Sequence, residues 1–187
     1  MLVAAAALTL CSPLLAAAAL AIRLESRGPV FYRQRRVGLH GQPFELWKLR
    51  TMVSGAETMG EGIYVIQGDP RITRVGRLLR RFSLDEVPNL VNVLRGEMAI
   101  VGPRPTVQEQ VDRYTERQLR RLEVRPGITG WAQVNGRTSL PWPERIELDV
   151  WYVEHRSPRV DLRILALTLR MLATGRGLYS DDLKQGW

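Results

Sequence analysis

The chain has 187 residues, 45% of them apolar, and 27 Lys and Arg against 19 Asp and Glu give a formal charge of +8. That length and apolar content exclude wholesale disorder and fit one domain with a modest core plus an appendage. The positive balance favours phosphate-bearing partners, whether nucleic acid, anionic lipid or a phosphorylated small molecule, and a lone Cys11 with only His40 and His155 excludes an internal disulfide, a cysteine zinc site and a histidine-based triad. A metal, if one is held, sits on oxygen ligands. Apart from Lys48 and Lys184 every basic residue is Arg, a bias that genome composition alone can produce and that also suits bidentate phosphate binding.

From Met1 to Ile22 no side chain is charged, and at about 1.5 Å per residue a helix of that length just crosses a hydrocarbon layer about 30 Å thick. Basic residues follow the run, at Arg23, Arg27, Arg33, Arg35 and Arg36. That is the reverse of a secretory signal, and the positive-inside rule keeps the remainder cytoplasmic. Ser12-Pro13 falls in mid-run, where proline deletes a helical hydrogen bond and clashes with the carbonyl four residues back. Two outcomes follow: a kinked spanning helix, or a helix-break-helix hairpin that enters one leaflet and returns. In the hairpin the Ser12 hydroxyl satisfies a freed backbone group and the alanines at 4–7 and 16–19 let the arms pack closely. Residue physics leaves both open.

Residues 28–38, GPVFYRQRRVG, read as a short strand, and FELWKLRTM at 44–52 pairs with it across His40-Gly41-Gln42-Pro43 into a small antiparallel hairpin. Lys48 lies in mid-strand, where the plain expectation is a solvated position. Residues 53–70 carry glycines without helical periodicity and read as a loop. RITRVGRLLRRFSL sets Ile72, Val75, Leu78, Leu79 and Phe82 on one helix face and arginines on the others, a cationic amphipathic helix that suits an anionic bilayer as well as nucleic acid. The stretch 106–124 has one helical pattern. RPGITGWAQVNGR after it reads as a tightly turned loop. Residues 142–155 read as a helix entered at Pro143, and 159–175 as a further amphipathic helix, with no internal repeat anywhere.

The adjacent acids Asp85 and Glu86 have a plain structural account. Ser83 and Glu86 fit a capping box, in which acids near a helix start contribute about 0.3–1 kcal/mol. With Ser83 as cap, however, Pro88 becomes the fifth helical residue, where its missing N–H deletes the bond to the Leu84 carbonyl. A helix starting at or near Pro88 avoids that cost and leaves both acids just before it; otherwise the helix starts earlier and bends. Either way the carboxylates lie near exposed N–H groups and arginines, where phosphate also binds. Arg104, held between Pro103 and Pro105, has the limited backbone freedom of a phosphate clamp.

SLDEVPNLVNVLRGEMAIVGPRP, together with GPVFYRQRRVG, KLRTM, RPGITGWAQVNGR and LDVWYV, resembles the bacterial sugar transferases of the monotopic polyprenyl-phosphate phosphoglycosyl transferase family, over about Leu10 to Leu172 and in the same order. The resemblance implies an α+β, mainly α fold. Residues 1–22 would form a re-entrant membrane hairpin broken at Ser12 and Pro13, and 23–187 a compact cytoplasmic catalytic domain with a small β-hairpin and amphipathic interfacial helices. It implies transfer of a sugar 1-phosphate from a UDP-sugar to undecaprenyl phosphate. Asp85 matches the nucleophile that forms an aspartyl phosphosugar intermediate, and Glu86 the partner acid associated with Mg2+, so that Asp85 and Glu86 are the expected metal ligands. Arg104 matches the phosphate-binding Arg of the Pro-Arg-Pro motif, with Lys48 as a second phosphate-binding candidate. Asp149, Arg125 and Arg137 are candidate substrate-site residues.

The implied setting is the inner face of the bacterial cytoplasmic membrane, among its phospholipids, with a homodimer as a candidate assembly and no nucleic-acid partner. One departure bears on membrane affinity: the family usually carries a basic and aromatic stretch before the apolar run, whereas this chain starts Met1-Leu2-Val3. In physical terms an ionised Asp85 needs no general base, provided Mg2+ and Arg104 neutralise the phosphates, and double displacement follows, with nucleoside monophosphate leaving first. Trp131, Trp142, Trp151 and Tyr152 are interfacial anchors, a stacking surface for uracil, or ordinary partly buried aromatics. Two rival readings remain. A membrane-anchored basic binding module would be unchanged by Asp85→Asn, and a phosphohydrolase would pass the aspartyl phosphate to water and make no lipid product.

Overall fold

The computed structural model describes residues 1–59, 68–136 and 140–174. Helix α1 (Leu2–Glu25) runs through Pro13 without leaving the helical conformation. Proline at 13 frees the carbonyl of Thr9, and the Ser12 hydroxyl donates to that carbonyl at 2.8 Å, so a side chain replaces the lost rung. The helical backbone therefore does not break at Ser12-Pro13 as the hairpin expectation required. α1 is long and apolar enough to cross a membrane, yet both its ends pack on the rest of the chain: Ala4 with Phe44, Leu46, Leu90, Val93 and Met98, and Ala18 and Ile22 with Leu49 and Leu79. Between them Leu10 is 83% exposed and Leu14 47%.

Polar contacts fasten the helix end. Buried Arg50 donates to the carbonyls of Ser26 and Arg27 at 2.8 and 2.7 Å, and Glu25 accepts from the N–H groups of Arg74 and Val75 at 2.7 and 2.9 Å. Those are orphan donors of the first turn of α2 (Arg74–Arg81), whose N-cap Thr73 accepts from Gly76 N–H. The apolar face expected of α2 is split. Leu79 is buried, whereas Leu78 and Phe82 are 56% and 51% exposed. Gly76 decides which side packs, because a Cβ there would sit 2.0 Å from the Thr51 carbonyl oxygen, and only glycine allows that approach.

The hairpin forms as expected: β1 (Phe31–Val37) pairs antiparallel with β2 (Pro43–Leu49), setting Tyr32 opposite Lys48, Gln34 opposite Leu46 and Arg36 opposite Phe44. Directly opposed residues share a face, so Arg36 and Lys48 point to the same side of the hairpin. Helix α3 (Asn89–Leu94) packs on β2 through Asn92, which is fully buried. Its amide donates to the Glu45 carbonyl and to Glu97, each at 2.7 Å, and its oxygen accepts from the Trp47 N–H at 3.2 Å. Asn92→Ala strands an N–H and a carbonyl in the interior, so it is expected to cost about 2–4 kcal/mol. Thermal unfolding in detergent checks this; a melting point equal to wild type would show that the network contributes nothing.

Two stretches depart from the sequence reading. The single helix expected over 106–124 is instead α4 (Gln108–Val111), α5 (Glu116–Leu119) and a 3-10 turn at Arg120–Glu123. Thr115 interrupts it, adopting extended backbone and forming a capping box with Gln118 that starts α5. The loop expected over 126–136 contains β4 (Gly127–Thr129), parallel to β3 (Ala99–Val101), and then α6 (Trp131–Val134). Gly127 and Gly130 permit contact rather than turning: a Cβ on Gly127 would lie 2.1 Å from Gly102 N, and one on Gly130 2.2 Å from the Gly102 oxygen.

Helices α7 (Trp142–His155) and α8 (Pro158–Thr174) match their expected spans within about two residues. Tyr152 is 4% exposed and its hydroxyl donates to Asp161 at 2.8 Å, so it is a core residue rather than an interfacial anchor or base-stacking surface. Trp131 stacks on Trp151 at 4.7 Å, Trp151 on His155 at 4.5 Å, and Arg163 lies over Trp131 at 5.4 Å. These rings spend surface on one another and brace α6, α7 and α8. On α8, Ile164 is buried while Leu162 and Leu169 are 66% and 68% exposed.

Candidate active site

Between α2 and α3 the chain reverses at Ser83, whose φ of 54° is left-handed, a conformation that costs a non-glycine residue about 1–2 kcal/mol. A 3-10 turn over Leu84–Glu86 carries both acids, and Pro88 is the N-cap of α3. The Ser83 side chain caps nothing, so the capping-box account fails. The helix begins where a residue without N–H costs no rung, as the Pro88 argument requires.

The two carboxylates have opposite surroundings. Glu86 Oε1 accepts from Lys48 Nζ at 2.8 Å and from Arg104 Nη2 at 2.7 Å. Burial alone would raise its pKa, but the Arg104 and Lys48 charges outweigh that and hold it well below the ordinary carboxylate range. In return Glu86 raises the pKa of Arg104, while burial lowers that of Lys48 against the pull of Glu86. Lys48 is thus no solvated strand residue; its side chain is 16% exposed. Asp85, 9% exposed, accepts no hydrogen bond from any described residue. Burial and then the neighbouring Glu86 charge push its pKa up, against Lys48, Arg80 and Arg104. One acid is neutralised by two cations and the other is left with its lone pairs unengaged.

Asp149 stands behind this arrangement. Its carboxylate accepts from Arg121 Nη2 at 2.6 Å, and the same nitrogen donates to the Arg104 carbonyl at 2.9 Å, so the pair fixes the backbone that carries Arg104. Burial pushes the Asp149 pKa up to about 6 although Arg121 opposes it. That folded value lies above the roughly 3.9 of an unfolded aspartate. The folded state therefore binds the extra proton between about pH 4 and 6, and this carboxyl's contribution to stability falls as pH rises through that window, then levels. Asp149→Asn is expected to flatten the stability curve there, read by urea unfolding at a series of pH values; an unchanged slope would refute the shift.

Arg36, placed by sequence only among the charges after the apolar run, lines the same pocket as Lys48, Glu86, Asn89 and Arg104. Burial and the Arg104 charge lower its pKa to about 10. Strand alternation could have put it on the Lys48 side, but only once the hairpin register was known. Arg125 is not brought in: it is exposed and its Nε donates to the Gly96 carbonyl at 2.8 Å. Arg137 lies outside the described residues.

Among the described residues no group of three or more His, Cys, Asp and Glu gathers to form a protein cage for a metal. The donors present fit a lighter grip. Asp85 has free carboxylate oxygens beside the acid Glu86, whose Oε2 accepts no hydrogen bond from a described residue. Mg2+ typically takes one or two carboxylates and completes its shell with water and substrate phosphate.

Residues 1–175 match the family model described as bacterial sugar transferase. The chain is 48% identical over 157 residues to the uncharacterized sugar transferase EpsL of Bacillus subtilis, covering 84% of this chain and 76% of that protein. It is 46% identical over 187 residues to the UDP-glucose:undecaprenyl-phosphate glucose-1-phosphate transferase of Caulobacter vibrioides, covering 95% and 69%. Over 182 residues it is 41% identical to the UDP-N-acetylgalactosamine-undecaprenyl-phosphate N-acetylgalactosaminephosphotransferase of Aeromonas hydrophila, covering 94% of this chain and 43% of that longer protein.

Proposed function

The chain belongs to the bacterial sugar transferase family, and from that premise we propose that it moves a sugar 1-phosphate from a UDP-sugar to undecaprenyl phosphate through a covalent intermediate on Asp85. The observation that carries this reading is the asymmetry of the acidic pair: Glu86 is tied to Lys48 and Arg104, whereas Asp85 is buried beside them with no hydrogen bond from a described residue. A buried carboxylate with free lone pairs, next to cations that attract phosphate, is how an anionic nucleophile can approach an anionic diphosphate.

An Asp85 oxygen attacks the phosphorus that bears the sugar, forming a P–O bond as the bond to UMP breaks and its electron pair leaves with UMP. In the second half an oxygen of the lipid phosphate attacks the same phosphorus and the Asp85 carboxylate is released. Arg104 and Lys48 hold phosphoryl oxygens and offset the charge that builds on them. Asp149 and Arg121 keep the Arg104 backbone in place. Mg2+, bound by Asp85 and Glu86, would add Lewis-acid neutralisation of the diphosphate.

The acceptor phosphate cannot leave the bilayer surface, so the site must lie near it. α1 seats Ala4, Ala18 and Ile22 on the rest of the chain and leaves Leu10 and Leu14 exposed, which supports residues 1–22 as the apolar element that holds a catalytic domain of residues 23–187 at the bilayer. The exposed Leu78 and Phe82 of α2 and Leu162 and Leu169 of α8 supply apolar side chains for the cytoplasmic face of the inner membrane.

The test is turnover of the detergent-solubilised protein with undecaprenyl phosphate, Mg2+ and a panel of UDP-sugars. UMP released in step with a lipid-linked sugar diphosphate is expected. Sugar phosphate without lipid product would make the protein a hydrolase, and no turnover across the panel would overturn the proposal.

A further inference from the structure

Two polar atoms beside the acidic pair are buried without a partner, Arg36 Nε and Asn89 Oδ1. Both residues line the pocket bounded by Lys48, Glu86 and Arg104. Asn89 is 3% exposed, and its side chain makes no hydrogen bond among the described residues. The Arg36 guanidinium is held by Gln34 Oε1 at 2.6 Å and more loosely by the Pro105 carbonyl at 3.4 Å, with the like charge of Arg104 close enough to disfavour its protonated form. Buried polar groups are almost always paired, so two residues that line one pocket and each carry an orphan call for a ligand that pairs them. Three cations, Arg36, Lys48 and Arg104, outnumber the lining carboxylate Glu86 and the adjacent Asp85, and that surplus of positive charge selects an anion. An amide can turn to present its N–H2 as readily as its oxygen.

We infer that Arg36 and Asn89 form a phosphoryl-binding subsite beside the acidic pair, donating to oxygens of the phosphoryl group that the donor delivers. Neither residue is among those that the family resemblance assigns to the site. The inference rests on the transferase reading for the identity of that phosphoryl group. It explains why the free protein tolerates two unpaired groups: they are satisfied only when substrate is bound, so they hold binding strength in reserve rather than stability.

The experiment measures kcat/KM for the UDP-sugar and separately for undecaprenyl phosphate, with melting temperatures, in wild type, Arg36→Gln, Arg36→Lys and Asn89→Ala. Arg36→Gln is expected to lower kcat/KM for the donor about 10- to 100-fold, with Arg36→Lys recovering part of it and Asn89→Ala losing about 5- to 10-fold, as befits loss of charge-assisted and neutral hydrogen bonds. Melting temperatures without substrate should equal or exceed wild type. Lower melting temperatures with donor kcat/KM unchanged would make both residues structural and overturn the subsite, and a change confined to the acceptor would overturn its assignment to the donor. Wild-type turnover in the same preparation separates the two levels of failure. Its absence refutes the transferase reading and the subsite with it, whereas undiminished turnover in the variants refutes the subsite alone.

Discussion

Asp85→Asn is expected to lower kcat by at least about 10^4-fold, the scale of losing a nucleophile, while leaving the fold intact. The amide keeps the volume and shape of the carboxylate but has no anionic lone pair to offer phosphorus. Stability should hold or rise, because the native carboxylate is buried, unpaired and pushed up in pKa by burial and by Glu86, and a neutral side chain removes both penalties. Mass spectrometry of wild type mixed with donor and Mg2+, without lipid acceptor, should show a sugar-phosphate adduct on the peptide containing Asp85 that disappears when acceptor is added. Asp85→Asn should show none. Turnover within tenfold of wild type in the variant would end the covalent reading and return the acids to a structural role.

Glu86→Ala is expected to lower stability and activity together. It leaves Lys48, 16% exposed, and Arg104, 42% exposed, facing each other with no carboxylate between them. Breaking a buried pair costs about 3–5 kcal/mol. The partial exposure of Arg104 lets water absorb some of that, so about 2–4 kcal/mol is expected, a fall of roughly 5–15 °C in melting temperature for a domain of this size. Glu86→Gln keeps an oxygen for both donors and should lose markedly less. Activity should fall in both, since the cations lose the anchor that aims them. Calorimetry of the three proteins in one detergent decides it: equal melting points for Glu86→Ala and wild type would mean that solvent already screens the cluster.

The proline positions made the candidate site legible. Pro88 is costly in a helix interior, which favoured a helix starting there with Asp85 and Glu86 just ahead of it, and Pro103 and Pro105 limit Arg104 whatever surrounds it. Two strand-like stretches on either side of a turn at 40–43 made the hairpin legible, because both signals act within a few residues. The stretch 106–124 misled because an apolar period of 3.6 carries no record of where a helix stops, and the Thr115–Gln118 capping box is visible only if a stop is sought. Gly127 and Gly130 misled because the freedom that lets glycine turn also lets two backbones touch, and sequence does not separate the two uses.

By itself, then, the sequence determined what is local: an apolar run with a proline at its middle, a strand pair, and an acidic dyad beside a proline at which a helix can start. Only the tertiary structure decided which charges meet. Lys48 reaches Glu86 across 38 residues and Arg104 across 18, Arg121 closes on Asp149 behind them, and Arg36 and Asn89 are left facing the same pocket. Backbone preferences and periodicity extend over a turn or two of chain, whereas the partner of a buried charge is set by the strand register and close glycine contacts that bring distant segments together.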